Sequence, residues 1–291
     1  MYGIDGRRDL TETTRDELSG YEGAGPVRIG NGAFDQRQND VFGAVLDSLL
    51  LHTRRSRHLP RRLWPLVKSQ AECAIAAWRE PDQGIWEARG DPQHYVSSKL
   101  MGWVALDRAA KLAAIRDDPQ LEKAWTEVAA EIRADILEQG VSDGGVLRQH
   151  YGTDALDAST LLAAIFGFLP GSDERMRNTV RAIATDLTEH GFVLRYRTDE
   201  TDDGMSGKEG TFLICSFWLV SALAIVGEMK QATDLMERLL RIASPLGLYA
   251  EEFEVDRSRH LGNFPQAFSH LALIEAAGRL VLAERLEELG L

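Results

Sequence analysis

The sequence has few cysteines and no long apolar run. Its two cysteines, Cys73 and Cys215, fall within apolar helical patterns, so we interpret both as buried, reduced thiols. The longest charge-free segment, 212–226, is shorter than the roughly 20 residues that a membrane-spanning helix needs. The N-terminus is polar and lacks the apolar stretch of a secretory signal. These absences predict a cytoplasmic protein.

Positive charge is also scarce, with 33 Lys and Arg against 45 Asp and Glu and a formal net charge of −12. The one basic cluster, residues 52–62, reads as a solvated turn between helices, so nucleic acid is disfavoured as a partner. The histidines lack metal-site spacing, and neither a P-loop nor a G-x-S-x-G motif is present. We therefore expect no metal, no cofactor and no membrane partner, and a neutral small molecule as the substrate.

Past residue 33, hydrophobic periodicity predicts ten helices and no strand. Asp118 and Pro119 supply an N-cap and a first-turn proline for the fourth helix, in which apolar residues recur every three or four positions. The predicted spans are 36–52, 61–80, 95–113, 119–138, 155–169, 173–189, 210–227, 229–242, 264–277 and 279–289.

The predicted helices alternate in character along the chain. The third, fifth, seventh and ninth are nearly uncharged, as in FLICSFWLVSALAIV, whereas those between them carry charges on one face, as in ERMRNTVRAIATDLTEH. A helix that is apolar all round must be covered on all sides, and a one-sided helix lies at the surface. The pattern predicts an all-α fold with an inner layer wrapped by an outer one, an α/α barrel or toroid. A solenoid of helical hairpins is the alternative.

Four long loops lead from the predicted outer helices back to the inner ones. They span 81–95, 140–154, 190–209 and 243–263 and are rich in glycine, acidic and aromatic residues, whereas the inner-to-outer connections are short. Loops longer than about 12 residues inside a compact domain are usually functional. Because all four leave the same end of a barrel, they predict one active mouth.

Carboxylates in these loops suggest acid–base chemistry. Glu87 follows Trp86 in the first long loop, and Glu251 and Glu252 lie in the last. Glycosidic bond hydrolysis uses one carboxyl group to protonate the leaving oxygen and another to activate water. An indole beside Glu87 would favour the protonated form that a general acid needs. The plainer interpretation is that each loop glutamate is a solvated charge.

The chain resembles glycoside hydrolase family 15, which contains glucoamylases and bacterial trehalases. Matching segments run in family order from residue 1 to about 280: MYGIDGRRDLTE, GYEGAGPVRIGN, GIWEARG, SSKLMGWVALDRA, LRYRTDE, GKEGTFLICSFWLV, LYAEEF and LGNFPQAFSHLALI. The resemblance implies an (α/α)6 barrel that cleaves α-linked glucose at a non-reducing end, with inversion. Trehalose and the ends of α-glucans are the substrates it implies.

The resemblance also implies roles for individual residues. Glu87 stands at the position of the family's general acid, and Glu251 stands at that of its general base. Arg195 matches a sugar-contacting arginine, while Ala88 departs from fungal glucoamylases, which carry a second carboxylate there. The other implied substrate-binding residues lie in matching loops or at the mouth end of an inner helix: Trp86, Arg89, Lys99, Glu209 and Glu252.

Family catalytic domains contain one more helical hairpin upstream, and bacterial members have a preceding β-sandwich domain. Ten helices give five of the six hairpins, so we interpret the chain as the C-terminal part of a catalytic domain. Residues 1–291 would form a single barrel domain, with 1–33 as an extended lead-in and 34–291 as helical hairpins.

Three functions are open at this stage. The first is an inverting α-glucosidic hydrolase. The second is an incomplete module, inactive or weakly sugar-binding, that needs a complementing N-terminal chain or a homo-oligomer to close the ring. The third is a helical-repeat interaction scaffold, which leaves the four long one-sided loops unexplained.

Overall fold

The computed structural model describes residues 2–23, 25–201 and 209–288. In this part of the chain the α-helices are α1 Val41–Ser56, α2 Trp64–Ala77, α3 Val96–Ile115, α4 Pro119–Gln139, α5 Leu162–Ile165, α6 Glu174–Asp186, α7 Leu213–Ile225, α8 Met229–Arg241 and α9 Ala267–Glu288. Two short strands precede α1 and five lie between later helices: β1 Thr13–Thr14, β2 Arg28–Ile29, β3 Thr188–Glu189, β4 Phe192–Val193, β5 Thr211–Phe212, β6 Glu252–Glu254 and β7 Arg259–Leu261. Among the described residues the helices therefore make up the framework, and the strands lie in the N-terminal segment and in the connections.

Helices α3 and α7 form the inside of the fold. Nearly every residue of α3 is buried, because α1, α2 and α4 pack around it. Helix α7 is likewise enclosed by α8 and α9. Helix α4, by contrast, buries one stripe, Trp125, Ala129, Ile132 and Ile136, and exposes a charged face. The predicted layering of apolar helices inside one-sided helices is confirmed.

The inner elements α1, α3, α5, α7 and α9 together line a cavity of about 650 Å³. Helix α1 packs on α3, and α9 packs on α7, so α1 and α9 lie at the two ends of this inner row. On α9, Phe268, Leu271 and Ile274 are 64%, 61% and 67% exposed. These three side chains recur at helical spacing and define the α9 apolar face.

The predicted fifth helix, 155–169, is mostly not α-helical. Asp157 is extended, Ala158–Leu161 form a 3-10 turn, and α5 contains four residues. The extended backbone at Asp157 arises because it forms a β-bridge with Tyr196. Gly167, with φ of +71°, ends the helical segment.

The predicted ninth and tenth helices are one continuous helix, α9. A lone glycine such as Gly278 costs a helix interior about 1 kcal/mol, which tertiary contacts readily offset. Arg279 forms an ion pair with Glu275 one turn before it. Arg279 also donates to the carbonyl of Ile165 at 3.1 Å. These contacts hold the helix together across the glycine.

The prediction that the chain lacks strands is wrong at the long loops. β5, β6 and β7 form an antiparallel sheet, and β3 and β4 form a hairpin. The two turn residues of that hairpin, His190 and Gly191, have φ of 48° and 80°. Two successive positive φ angles match the turn type that suits the twist of a two-residue hairpin. The long loop 190–209 also contains 202–208, which lie outside the described residues.

The prediction that both cysteines are buried is confirmed for one of them and wrong for the other. Cys215 is buried as predicted, whereas Cys73 is exposed because it lies off the buried stripe of α2. Among residues 2–23, 25–201 and 209–288, no helix combines the length and apolarity required to cross a membrane.

Burial predicts that leucines of equal size contribute very differently to stability. Leu106 on α3 has no exposed surface, whereas Leu51 on α1 is 58% exposed. We expect Leu106→Ala to lower the free energy of unfolding by about 2–5 kcal/mol, because it leaves a cavity. Leu51→Ala, the matched control, should change it by about 0.5 kcal/mol or less. Urea unfolding of both variants measures the difference, and equal losses would contradict the difference in burial between these two side chains.

Candidate active site

The connection between α2 and α3 presents Trp86 and Glu87. It bends at Gly84, which has φ of +68°, and a Cβ there would lie 2.8 Å from the ring of Tyr95. Glu87 itself has φ of +58°, which is uncommon for a residue with a side chain. Residues held in such conformations cluster at functional sites.

A buried carboxylate, Asp82, fixes the start of this loop. It accepts hydrogen bonds from the backbone N–H of Asn39 at 2.8 Å, the hydroxyl of Ser98 at 2.8 Å and the N–H of Gly84 at 3.2 Å. Burial raises the pKa of Asp82, an effect that these bonds oppose. The loop is thereby tied to the start of α3 and to the residues that precede α1.

The indole of Trp86 is held by a carboxylate and two aromatic rings at the mouth of the fold. Its Nε1–H lies 3.0 Å and 3.1 Å from the two carboxylate oxygens of Asp157. Its ring centroid lies 5.9 Å from that of Phe212 and 6.0 Å from that of Trp218 on α7. Trp86 is thus bound to the inner layer through both its polar edge and its ring.

Arg195 lies above the same aromatic group. Its guanidinium carbon is 5.9, 4.8 and 5.0 Å from the ring centroids of Trp86, Tyr196 and Phe212. Its Nε donates to Glu209 Oε2 at 2.7 Å, and Nη2 contacts the other oxygen of Glu209. Such a two-bond pairing fixes the orientation of a guanidinium as well as its position.

Glu87 and these groups border a cavity of about 220 Å³. The cavity is lined by Glu12, Gly30, Asn31, Ala33, Trp86, Glu87, Ala88, Arg89, Arg195 and Tyr196. Four of the predicted site residues, Trp86, Glu87, Arg89 and Arg195, are therefore brought together around one small polar space. Two carboxyl groups, two guanidinium groups and an indole suit a ligand that carries hydroxyl groups on an apolar ring.

The N-terminal segment, predicted as a lead-in, supplies side chains to this cavity. The amide of Asn31 donates to Glu87 Oε2 at 3.3 Å. Glu12 accepts from Arg89 Nη2 at 2.9 Å and from the N–H of Gly32 at 3.0 Å. The hydrogen bond from Arg89 is the main cause of a lowered pKa at Glu12. The segment therefore orients two of the predicted site residues.

Glu252 is the first residue of β6 and Glu251 directly precedes it, and the two have different surroundings. Glu251 Oε2 accepts from the backbone N–H of Asn263 at 3.2 Å and from its amide at 3.0 Å. Glu252 Oε2 accepts from the N–H of Gly210 at 2.8 Å. Burial raises the pKa of Glu252 to about 7, and the charges of Glu209 and Glu251 add to the shift.

The pairing of β5 with β6 connects this carboxylate pair to Trp86. Phe212 on β5 is the register partner of Glu252 on β6, and the ring of Phe212 contacts that of Trp86. The carbonyl of Glu251 accepts from the N–H of Leu213, the first residue of α7, at 3.0 Å. Both carboxylate loops are therefore attached to the same end of α7.

Lys99 lies apart from this group. It is 3% exposed, and its Nζ donates to the backbone carbonyls of Trp78 and, at 3.3 Å, of Glu80. Burial lowers the pKa of Lys99. A lysine bonded to these carbonyls stabilises the C-terminal end of α2. The predicted sugar contact of Lys99 therefore has no support from its position.

Several residues at the site were not singled out from the sequence. Asn31, flanked by two glycines, gave no signal beyond a turn. Glu12 gave no signal either, because a single glutamate is common in an acidic protein. Asp157 did carry a signal, because it is the one charged residue in the segment ALDASTLLAAIFGFL. A lone charge among apolar residues points to a buried polar contact.

Comparison with known proteins gives consistent results. The model of the family described as Glycosyl hydrolases family 15 matches residues 1–278. Trehalases from Mycolicibacterium smegmatis and Mycobacterium tuberculosis are 58% and 59% identical over 98% of the chain, which spans 42% of their length. A glycosidase solved in complex with glucose is 25% identical, with a TM-score of 0.74 over 90% of this chain and 73% of its own.

The raised pKa of Glu252 predicts a pH-dependent stability. Its ordinary pKa is 4.5 and its folded value about 7, so the folded state binds more protons between these values. Stability therefore declines as pH rises through this range. Glu252→Gln cannot ionise and retains an oxygen for the N–H of Gly210. We expect this variant to be more stable than the unchanged protein at about pH 8, with a smaller advantage at about pH 5.

Urea unfolding of both proteins across this pH range measures the effect. A stability difference that stays constant from about pH 5 to pH 8 would contradict the raised pKa of Glu252.

Proposed function

Because the chain belongs to glycosyl hydrolase family 15, we propose that it forms the catalytic part of an inverting hydrolase of α-glucosidic bonds. The chain spans less than half the length of the trehalases it matches. The activity of those whole proteins is therefore a proposal for this chain. Trehalose is the proposed substrate, since both relatives are named trehalases. The non-reducing ends of α-glucans are the alternative, and a cytoplasmic location stays a prediction.

The observation that carries this proposal is the cavity beside Glu87. Two carboxyl groups, those of Glu12 and Glu87, line a space of about 220 Å³ together with an indole and two guanidinium groups. Small-molecule sites combine apolar walls with a few placed polar groups in this way. A repeat scaffold would not need these groups to converge.

In the proposed reaction Glu87 is the general acid and Glu251 the general base. Glu87 donates its proton to the glycosidic oxygen as the bond from that oxygen to the anomeric carbon breaks. Glu251 takes a proton from a water molecule whose oxygen bonds to the anomeric carbon from the opposite face. Such direct displacement converts an α linkage into a β-configured product.

The remaining residues would hold the sugar between the two carboxyl groups. Arg195, whose charge is balanced by Glu209, has N–H groups suited to sugar hydroxyls. Trp86 offers an apolar ring next to the proton donor. We assign substrate binding to these residues and to two charged groups close by, Arg89 and Glu252.

The proposal predicts that both carboxyl groups are required for turnover. Glu87→Gln and Glu251→Gln should each lower kcat on trehalose by about 100-fold or more, because each removes one proton transfer. The assay uses this chain and a fusion that supplies the remaining part of a matched trehalase. Maltose and isomaltose, assayed in parallel, identify the preferred linkage.

Glu127→Gln is the matched control, since Glu127 lies on the outer helix α4 with a side chain that is 67% exposed. Its activity should equal that of the unchanged protein. Proton NMR before mutarotation should show that the glucose freed from the non-reducing end of maltose is the β anomer, seen as an excess of β signal over the anomer mixture of the reducing-end glucose. Activity that survives either active-site change, or an excess of the α anomer, would contradict the assignment.

A second candidate function is favoured by the α9 apolar face. Three large apolar side chains on one helix face, each more than 60% exposed, mark an interaction surface. We propose that a pair of helices covers this face and completes the ring, and that the chain alone binds sugar weakly. In the matched trehalases, the part outside the matched region would supply such helices.

This candidate predicts that an apolar-surface dye, ANS, binds the chain more strongly than it binds the fusion. Ile274→Gln should reduce dye binding by the chain and should destabilise the fusion, where the residue would be buried, by on the order of 2 kcal/mol. Leu246→Gln is the control, because Leu246 is 83% exposed and lies off α9. Equal dye binding by chain and fusion would contradict the proposed cover.

A further inference from the structure

Asp157 is a buried carboxylate that does not line the cavity. It is 1% exposed and lies in extended backbone immediately before the 3-10 turn that leads into α5. The proposed reaction gives it no chemical role. Its position between the loops nevertheless places it next to Trp86 and Tyr196, which line the cavity.

The hydrogen bonds of Asp157 join three of the long loops. It accepts from Trp86 Nε1 in the first loop and from Gln149 Nε2, at 3.2 Å, in the second. Its own backbone forms a β-bridge with Tyr196 in the third, and the N–H of Ala158 donates to the carbonyl of Arg195 at 2.8 Å. One residue thus joins three long loops, and two of them, the first and the third, line the cavity.

The carboxylate geometry at Trp86 is specific to an acid. Both oxygens lie within 3.1 Å of the indole nitrogen, while Oδ1 also accepts from the N–H of Ser159 at 2.7 Å. An asparagine has one acceptor oxygen and would direct an NH2 donor at the indole N–H or at the amide of Gln149. Burying a carboxylate costs more free energy than burying an amide. An asparagine would therefore be favoured if the side chain only filled space.

We infer that Asp157 is a positioning residue that sets the orientation of the Glu87 carboxyl group through the indole of Trp86. Glu87 follows Trp86 directly and has the unusual φ of +58°, so rotation of the indole displaces the turn that carries the carboxyl group. An error of about 1 Å in such a group can lower a rate by about 100-fold. The inference rests on the proposed function for its catalytic consequence.

A double-mutant cycle tests the inference. Asp157→Asn and Trp86→Phe should each lower kcat by about 10- to 100-fold, and the double variant should lose no more than the more severe single variant. KM should change less than kcat, because the cavity's other polar groups remain. If Asp157→Asn does not fold, Trp86→Phe still tests the link, because it removes the indole N–H that donates to Asp157.

A second measurement is independent of turnover. The Nε1–H resonance of Trp86 in a 15N spectrum, assigned by its loss in Trp86→Phe, should shift in Asp157→Asn. Thr179→Val is the control: Thr179 is fully buried, and its hydroxyl accepts from the N–H of Leu147 at 2.9 Å. This variant should lower the melting temperature and leave both the Trp86 resonance and kcat unchanged.

Additive losses in the cycle, or an unshifted Trp86 resonance in folded Asp157→Asn, would overturn the inference. So would an equal shift in Thr179→Val. If the resonance shifts while Glu87→Gln leaves activity intact, the positioning of Trp86 stands and the proposed role of Glu87 fails. The two hypotheses are therefore separable.

Discussion

The structure depends on one constraint, which is that α3 and α7 are apolar on all sides and must be enclosed. Nearly all of α3 is buried, and α7 is covered by its neighbours in the same way. An inner helix that is covered all round leaves only its ends open. The connections at one end, which are longer and richer in polar residues, therefore meet at a common mouth. Burial of apolar surface in this way determines where the site lies before any catalytic residue is considered.

Polar contacts then determine how the loops at that mouth are held. Two buried carboxylates, Asp82 and Asp157, accept hydrogen bonds from backbone and side-chain donors of several loops. Burial raises the pKa of both, so each persists at a cost that its partners must offset. Loops without regular structure gain from such contacts the rigidity that helices provide elsewhere. The strained conformation of Glu87 is maintained between these two anchors.

Much of this arrangement could be predicted from the sequence, because helix character depends on local periodicity. The spans of α3 and α4 follow from apolar spacing and from the cap at Asp118. The break at 155–161 could not, since it depends on a bridge between Asp157 and Tyr196 that joins distant segments. Continuity of α9 through Gly278 likewise depends on a contact to Ile165, more than 100 residues earlier in the chain.

For the site as well, features that depend on local sequence could be predicted, and features that depend on contacts between distant segments could not. The proximity of Trp86 and Arg195 followed from loop positions and family resemblance, whereas the contact of Asn31 with Glu87 depends on how the N-terminal segment folds back. Lys99 shows the opposite case, because a charged residue at the mouth end of an inner helix is turned toward the carbonyls that follow α2. Sequence position places a side chain on a loop or helix, and packing decides which way it points.

Glu251 and Glu252 show how adjacent residues of the same type acquire different properties. Successive side chains at a strand point to opposite sides, so one neighbour is packed inward when the other faces the loop. Glu252 is packed beside Gly210, and burial raises its pKa to about 7, whereas Glu251 accepts two hydrogen bonds from Asn263. A proton held by Glu252 near neutral pH removes a negative charge next to Glu251. In the proposed reaction Glu251, which Asn263 holds by two hydrogen bonds, is the residue of the pair that takes a proton from water.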